Sequence, residues 1–518
     1  MPRVSPAFDV TLTREEALPR LAWCAVLVRS RSTVDVRAGA WVEAGDRHVV
    51  EGAWSGDYDA GDFTTAHVFS GTGLRTTSEG VVLATPTDTL QPLYLLHAED
   101  RLFCSNSLAF LLAVADDDVD PDYPYYDLDL ITIMFGLRRY RRTLPTRAGQ
   151  KIRLYYHANV VVTRTLETRV VAKAGPPPFG SFGAYRTFLS DTIAQVVANA
   201  VAPGRCRRYR ALATVSSGYD SPACAVLARA AGCEEAVTFR RARADFATRE
   251  DSGRTIAEHL GLRVTEFDAD AYRRRSDFPE VEFCVAGGGE DVVMSVLEDS
   301  LRARLLFTGF HGDKVWSRIN PDMGPHIVRG DASGCSLAEF RLRVGFLNVA
   351  VPFAGAVGHP SIHGISNSAE MHPWSLPDTA YDRPIPRRIV EEAGVPRALF
   401  GQVKKAVTMP YQRAEGVNPQ LEEVMSPISH ADFASFAAAR PLFKGFVDRA
   451  TYATLHGLYR LNDRALESYA LNRLATRVRR PLPKRPWVPW LYGKERAPHS
   501  LVFHWAMQRL RPRYLTLR

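Results

Sequence analysis

The sequence predicts an α/β protein in which a β-rich sandwich precedes a parallel sheet clothed in helices. Three observations predict it. Up to about Val171 the chain runs in short alternating apolar segments separated by Gly and Asp, the habit of paired strands. Beyond Ser181 strand-like and helix-like segments take turns, which builds a parallel sheet covered on both sides. Finally, the apolar run Leu212-Ala213-Thr214-Val215 stops at the small, hydroxylated turn Ser216-Ser217-Gly218-Tyr219-Asp220-Ser221 before a helix-like segment begins.

Taken in order, Trp23–Val28 and Gly80–Ala84 read as strands, and Gln91–Leu96 with Arg101–Asn106 as a strand pair leading into an apolar helix start at Leu108–Leu112. Lys173–Ser181, dense in Pro and Gly, is a stiff linker. The expected units are therefore 1–172, the linker 173–181, a second α/β domain at 182–430, and a helical extension at 431–518. Tyr185, Phe188, Leu189, Thr192, Ile193, Val196 and Val197 fall at helical spacing. Ala236–Phe239 reads as a strand, Glu250–Leu260 as a helix, and Arg263–Phe267 and Arg304–Phe307 as further strands. In such sheets ligands sit beyond the carboxyl ends of the strands, where the serine turn lies.

That turn has the makings of a phosphate site. A strand, a tight turn and a helix start present unpaired N–H groups and a positive dipole end to an anion. Ser216, Ser217 and Ser221 add hydroxyls, Gly218 permits close approach of the backbone, and Asp220 can hold a magnesium ion that screens a polyphosphate. The plainer reading is an ordinary strand-to-helix turn with a serine cap. No Walker pattern is present, so lysine-assisted chemistry at a γ-phosphate is not indicated.

The turn resembles the pyrophosphate loop, Ser-Gly-Gly-x-Asp-Ser, of the asparagine synthetase and N-type ATP pyrophosphatase superfamily, with Ser217 in place of the first glycine. Downstream, Thr308-Gly309-Phe310-His311-Gly312-Asp313-Lys314 resembles that family's Ser-Gly-Glu-Gly-Ala-Asp-Glu loop, with Phe310 and Lys314 where glutamates are usual. Upstream, the Pro92-Leu93-Tyr94 strand, the Phe103-Cys104-Ser105 strand and the segment from Arg142-Thr143-Leu144-Pro145 to Lys151-Ile152-Arg153-Leu154 resemble the closing part of the family's glutaminase domain. The resemblance covers about residues 90 to 410.

It implies an N-terminal glutaminase-like (Ntn) sandwich, a pyrophosphate-loop synthetase domain, and cleavage of ATP between the α and β phosphates to adenylate a carboxylate. An amine then displaces AMP to give an amide. Ser216, Ser217, Gly218, Asp220, Ser221, Val237, Phe239, Gly309 and Lys314 would contact the nucleotide, and Asp220 and Asp313 would hold Mg2+. A lysine of the family reaches the α-phosphate; Lys404 fits, with Lys405 as the alternative. The base that deprotonates the amine falls by order on Glu280 or Glu282, ahead of Glu290 and Asp291. A working glutaminase needs an N-terminal cysteine, yet position 2 is Pro2 and the nearest candidate, Cys24, lies in a strand-like run. The first domain then reads as a retained structural or substrate-positioning unit, as in the β-lactam synthetases and lasso peptide cyclases of similar architecture.

Composition narrows the classes further. No apolar run reaches the length of a membrane-spanning helix, and the N-terminus lacks the apolar core of a signal peptide, so a cytoplasmic location is expected. The seven cysteines form no Cys-x-x-Cys pair, against a disulfide framework or a structural zinc site. His359, His363 and His372 likewise lack zinc spacing. From Arg473 to the end there are twelve Lys or Arg and one acid, Glu495, in a net charge of +8 for the whole chain. This tail, interleaved with Pro and Trp and continued by Phe503, Trp505 and Tyr514, suits either peripheral contact with the inner face of a membrane or a basic face whose aromatics pack inward. The carboxylate substrate is a small molecule, a peptide or a polysaccharide precursor. Nucleic-acid modification and a non-catalytic nucleotide-binding descendant are the alternative functions, the former disfavoured by the glutaminase-like first domain.

Overall fold

The computed structural model describes residues 6–241, 251–376, 381–402, 421–440, 445–447, 449–451, 453–454 and 498–515. It is mixed α/β, β-rich at its N-terminus, with a five-stranded parallel sheet after it.

Thirteen strands form the first part: β1 (Asp9–Glu15), β2 (Trp23–Val28), β3 (Thr33–Gly39), β4 (Glu43–Gly45), β5 (His48–Trp54), β6 (Phe69–Thr76), β7 (Val81–Ala84), β8 (Leu93–Ala98), β9 (Arg101–Ser105), β10 (Thr143–Pro145), β11 (Lys151–Tyr155), β12 (Ala158–Val162) and β13 (Thr168–Ala172). One sheet runs β1-β3-β2-β9-β8-β11-β10 and the other β13-β12-β7-β6-β5-β4. The pairing is antiparallel except for β1 with β3. Side chains alternate across each strand, and this decides the packing. Trp23, Ala25 and Leu27 of β2 share a core with Val49, Leu74, Leu83 and Val160 of the facing sheet. Cys24, between them, points the other way and joins the cluster around the helix Leu108–Ala115.

The parallel sheet contains β14 (Arg210–Thr214), β15 (Glu235–Phe239), β16 (Arg263–Phe267), β17 (Arg304–Thr308) and β18 (Leu347–Ala350) in the order β16-β15-β14-β17-β18. The chain steps outward from β14 to β16 on one side, then returns to β17 and β18 on the other. The order therefore reverses between β14 and β17, the place where sheets of this topology take ligands in a crevice beyond the strand ends. The helix Phe182–Ala200 is capped by the Ser181 hydroxyl, which accepts from Ala184 N–H at 3.2 Å. The helix expected at Glu250–Leu260 spans Arg254–His259. Asp251–Gly253 is drawn instead against the serine turn: Ser252 bridges Ser216, and Gly253 N–H donates to Thr238 Oγ1 at 2.8 Å.

Buried polar contacts bind the two parts. Arg341 pairs with Glu51 and Arg205 with Glu43, all four side chains at most 4% exposed. Ser70 Oγ donates to the Asn348 carbonyl at 2.5 Å, tying β6 to β18. The C-terminal helix Val502–Leu510 returns to the first part, where Phe503 stacks on Tyr126 with ring centroids 4.9 Å apart and Tyr514 on Phe110 at 5.1 Å. Phe503, Trp505 and Tyr514 are thus core residues, not a lipid-facing surface. The basic run 477–490 lies outside the described residues. Among the described residues no helix is long and apolar enough to cross a membrane.

Candidate functional site

The serine turn leaves the end of β14 and enters the helix Asp220–Ala230, with no side chain capping that helix start. Internal hydrogen bonds shape it. Ser216 N–H donates to Ser221 Oγ at 2.9 Å, the two hydroxyls lie 2.9 Å apart, and Gly218 N–H reaches Ser216 Oγ at 3.3 Å. Ser217 is held from outside: its hydroxyl donates to Asp251 Oδ1 at 2.6 Å and its N–H to the Asp251 carbonyl at 3.2 Å. Ser216, Ser217, Gly218 and Ser221 are only partly buried, so an anion can reach them.

The second loop follows β17, the strand next to β14, and lies against the first. A β-carbon at Gly309 would stand 2.7 Å from Ser221 N, and one at Gly312 would stand 2.5 Å from Asp220 Cγ. Only glycine allows that approach. Asp313, next along, has Lys314 Nζ at 3.3 Å, and the same ammonium is 3.8 Å from Asp331. His311 adopts a left-handed backbone, φ +61°, with its imidazole buried against Phe353.

A third segment closes the site. Arg383 donates to the Asp220 carboxylate. Burial works against its charge, but Asp220, the Tyr381 hydroxyl and Asp313 together hold the guanidinium above its ordinary value. Arg383 therefore lies in the field of both acids, one from each loop. Tyr381 packs on Tyr219 with ring centroids 4.8 Å apart, and its hydroxyl lies 3.6 Å from where a Gly218 β-carbon would be. Gly401 N–H donates to the Ser217 carbonyl at 2.8 Å, and at φ +66° Gly401 lies so close to the Tyr219 ring that a β-carbon would overlap it. Lys404 and Lys405 lie outside the described residues.

The remaining expected residues fall elsewhere or at the edge. Val237 offers its carbonyl to Val215 N–H at 3.0 Å while its side chain stays in the core, and Phe239 ends β15 half-buried. Glu280 is fully buried and accepts from Ser426 N–H and from the Ser426 and Ser429 hydroxyls, at the start of the helix Pro427–Ala438. Glu282 pairs with Arg343 and Arg513. Among the described residues neither carboxylate has a partner from the 216–221 or 309–314 loops. Glu290 differs. No described residue hydrogen-bonds its carboxyl, and burial first, then Asp291 and Asp331, raise it to about 8. Its neighbour Asp291 accepts from Gly334 N–H at 2.9 Å and Ser336 Oγ at 2.6 Å, which fixes Glu290 beside the 331–336 segment.

Arg383, Tyr381, Asp251 and Asp331 are the residues that motif reasoning passes over. Their signal in the sequence is faint: Tyr381-Asp382-Arg383-Pro384 places a cation just before a Pro-initiated helix. In the first part, Cys24 is wholly buried in β2, and burial raises its thiol to about 12, far from a nucleophile's range. No family model matches this chain, and no curated protein matches it.

Proposed function

We propose that the chain is an ATP-dependent, AMP-forming ligase of the asparagine synthetase-like kind, which adenylates a carboxylate and passes the acyl group to ammonia or an amine. The observation that carries this reading is the contact between the loops after β14 and β17, with Gly312 against the Asp220 carboxyl group and Arg383 in the field of both Asp220 and Asp313. The parallel sheet is read as a pyrophosphate-loop domain and the two-sheet sandwich as an Ntn-like unit with a structural role.

In this reading the phosphates lie over the turn, accepting from whichever of the Ser216 and Ser221 hydroxyls is not donating to the other, from the Ser217 hydroxyl once it turns away from Asp251, and from the helix-start N–H groups. Two carboxylates among hydroxyls make a hard, all-oxygen donor set, which fits Mg2+. Asp220 and Asp313 would hold it, and when bound it screens the charge of the triphosphate. The substrate carboxylate attacks the α-phosphorus and pyrophosphate departs, its charge met by Arg383 and Lys314. The amine then attacks the acyl carbon and AMP leaves. Glu290, whose carboxyl no described residue hydrogen-bonds, is taken as the group that accepts the amine's proton, in preference to Glu280 and Glu282, whose oxygens are engaged elsewhere. Lys404 keeps the α-phosphate role that the resemblance gives it.

One observation favours a nucleotide-binding descendant without catalysis: Asp220 and Asp313 already have cations, Arg383 and Lys314, beside them. ATP–pyrophosphate exchange across a panel of carboxylates separates the two. Exchange that disappears in both Asp220→Ala and Asp313→Ala, each still folded, supports the ligase; full exchange in either variant removes the site assignment. Absence of exchange with every carboxylate tried, together with absence of ATP binding, selects the descendant.

A further inference from the structure

Beside the crevice, the second loop assembles a group of side chains that the proposed chemistry does not use as a set. His311, Asp313 and Asp331 each offer a ligand atom, and these atoms all lie within 4.8 Å of one another. The histidine supplies the independent clue. Its side chain is only 1% exposed. Nε2 lies 2.8 Å from the Ser333 carbonyl, which can only accept, and 3.3 Å from Arg329 Nη1, which can only donate; the shorter contact assigns the proton to Nε2. Nδ1 is then a bare lone pair. It is buried, has no hydrogen-bond partner, and lies 3.6 Å from Asp331 Oδ1, itself an acceptor.

We propose that His311 Nδ1 and the Asp313 and Asp331 carboxylates bind one divalent ion of the zinc and manganese class. Two acceptors facing each other, one on a buried imidazole and one on a partly exposed carboxylate, call for a cation between them. A histidine that gives its other N–H to a backbone carbonyl is held in the tautomer and orientation a metal ligand needs. Packing against Phe353, 5.3 Å away between ring centroids, fixes the ring, and Ser333 N–H fixes Asp331 Oδ1 at 3.2 Å. One imidazole with two carboxylates suits Zn2+, Mn2+ or Co2+, whereas Mg2+ and Ca2+ favour oxygen alone. Lys314, whose ammonium lies 3.3 Å from Asp313 and 3.8 Å from Asp331, is the group the ion displaces, which frees that side chain to turn toward the crevice. The site shares Asp313 with the proposed Mg2+ site but needs no nucleotide, so metal uptake by the nucleotide-free protein tests it separately from the ligase reading.

Full-length protein stripped with chelator and dialysed, free of nucleotide, is titrated with Co2+ by visible absorption and with Zn2+, Mn2+ and Mg2+ by calorimetry. One Co2+ or Zn2+ per chain is expected, with much weaker binding of Mg2+. His311→Asn, chosen because asparagine tolerates the left-handed backbone, and Asp331→Asn, at a side chain 38% exposed, should each weaken Zn2+ binding by about 10- to 100-fold. Their thermal midpoints should stay near that of the parent protein. Failure of the stripped parent protein to take up Zn2+ or Co2+ at micromolar metal would overturn the site, and so would undiminished binding in both variants.

Discussion

The Arg341 guanidinium grips both carboxylate oxygens of Glu51, at 2.6 and 2.9 Å, across the boundary between the sandwich and the parallel-sheet part. Gln91 Oε1 takes two more of its N–H groups, and Thr72 and Asn106 complete the shell around Glu51. Removing one partner strands a buried charge. Glu51→Gln or Arg341→Met should each cost about 3–5 kcal/mol in denaturant unfolding. A loss below about 1 kcal/mol would mean the pair is no better than a surface one.

Gly312→Ala addresses the crevice directly. The added methyl would stand 2.5 Å from Asp220 Cγ, so one loop must retreat from the other. Pyrophosphate exchange should fall by at least about tenfold, since a small misplacement of reacting groups is costly, while far-UV circular dichroism remains that of the parent. Unchanged exchange would show that the contact does not matter to chemistry.

For Glu290→Gln the expectation is a split between steps. Exchange, which needs only adenylation, should persist, whereas amide formation should slow by about 10²- to 10⁴-fold. Equal loss of both would assign Glu290 to nucleotide binding instead of proton transfer.

Glu339 gives the fold a pH dependence. It is fully buried, accepts from Ser107 Oγ at 2.6 Å and Tyr514 Oη at 2.7 Å, and has Glu282 and Arg513 nearby. Burial raises its carboxyl to about 7. Because the folded value lies above the unfolded one, its contribution is fully present below the ordinary glutamate range and is lost as pH rises through about 7. Stability should therefore decline from pH 5 toward pH 8 with a slope of at most about 1.4 kcal/mol per pH unit from this group. Glu339→Gln should flatten that decline in thermal melts; an unaltered slope would exclude Glu339 as its source.

Local pattern was a good guide to elements and a poor one to partnerships. Trp23–Val28 and Arg263–Phe267 stand where alternation and β-branched content place them, because the facing sheet or the neighbouring strand rewards that pattern directly. The glycines of the second loop were legible as a turn, but their reason for being glycine, the Asp220 side chain, comes from a residue about ninety positions earlier. Glu280 and Glu282 show the limit. Order along the chain suggested a base, whereas the pairing of those carboxylates with Ser426, Ser429, Arg343 and Arg513 depends on residues far away in sequence that order does not register. Arg383 carries no motif at all, and only the packing of its helix start against Tyr219 brings it to Asp220.

The stacking of Phe503 on Tyr126 and Tyr514 on Phe110 has a consequence for synthesis on the ribosome. The sandwich is translated well before the residues that cover the aromatic surface of its helices, which lie nearly four hundred positions downstream. Until Phe503 and Tyr514 have been made, that surface is exposed to water and to other nascent chains, and a holding chaperone has a natural place to bind.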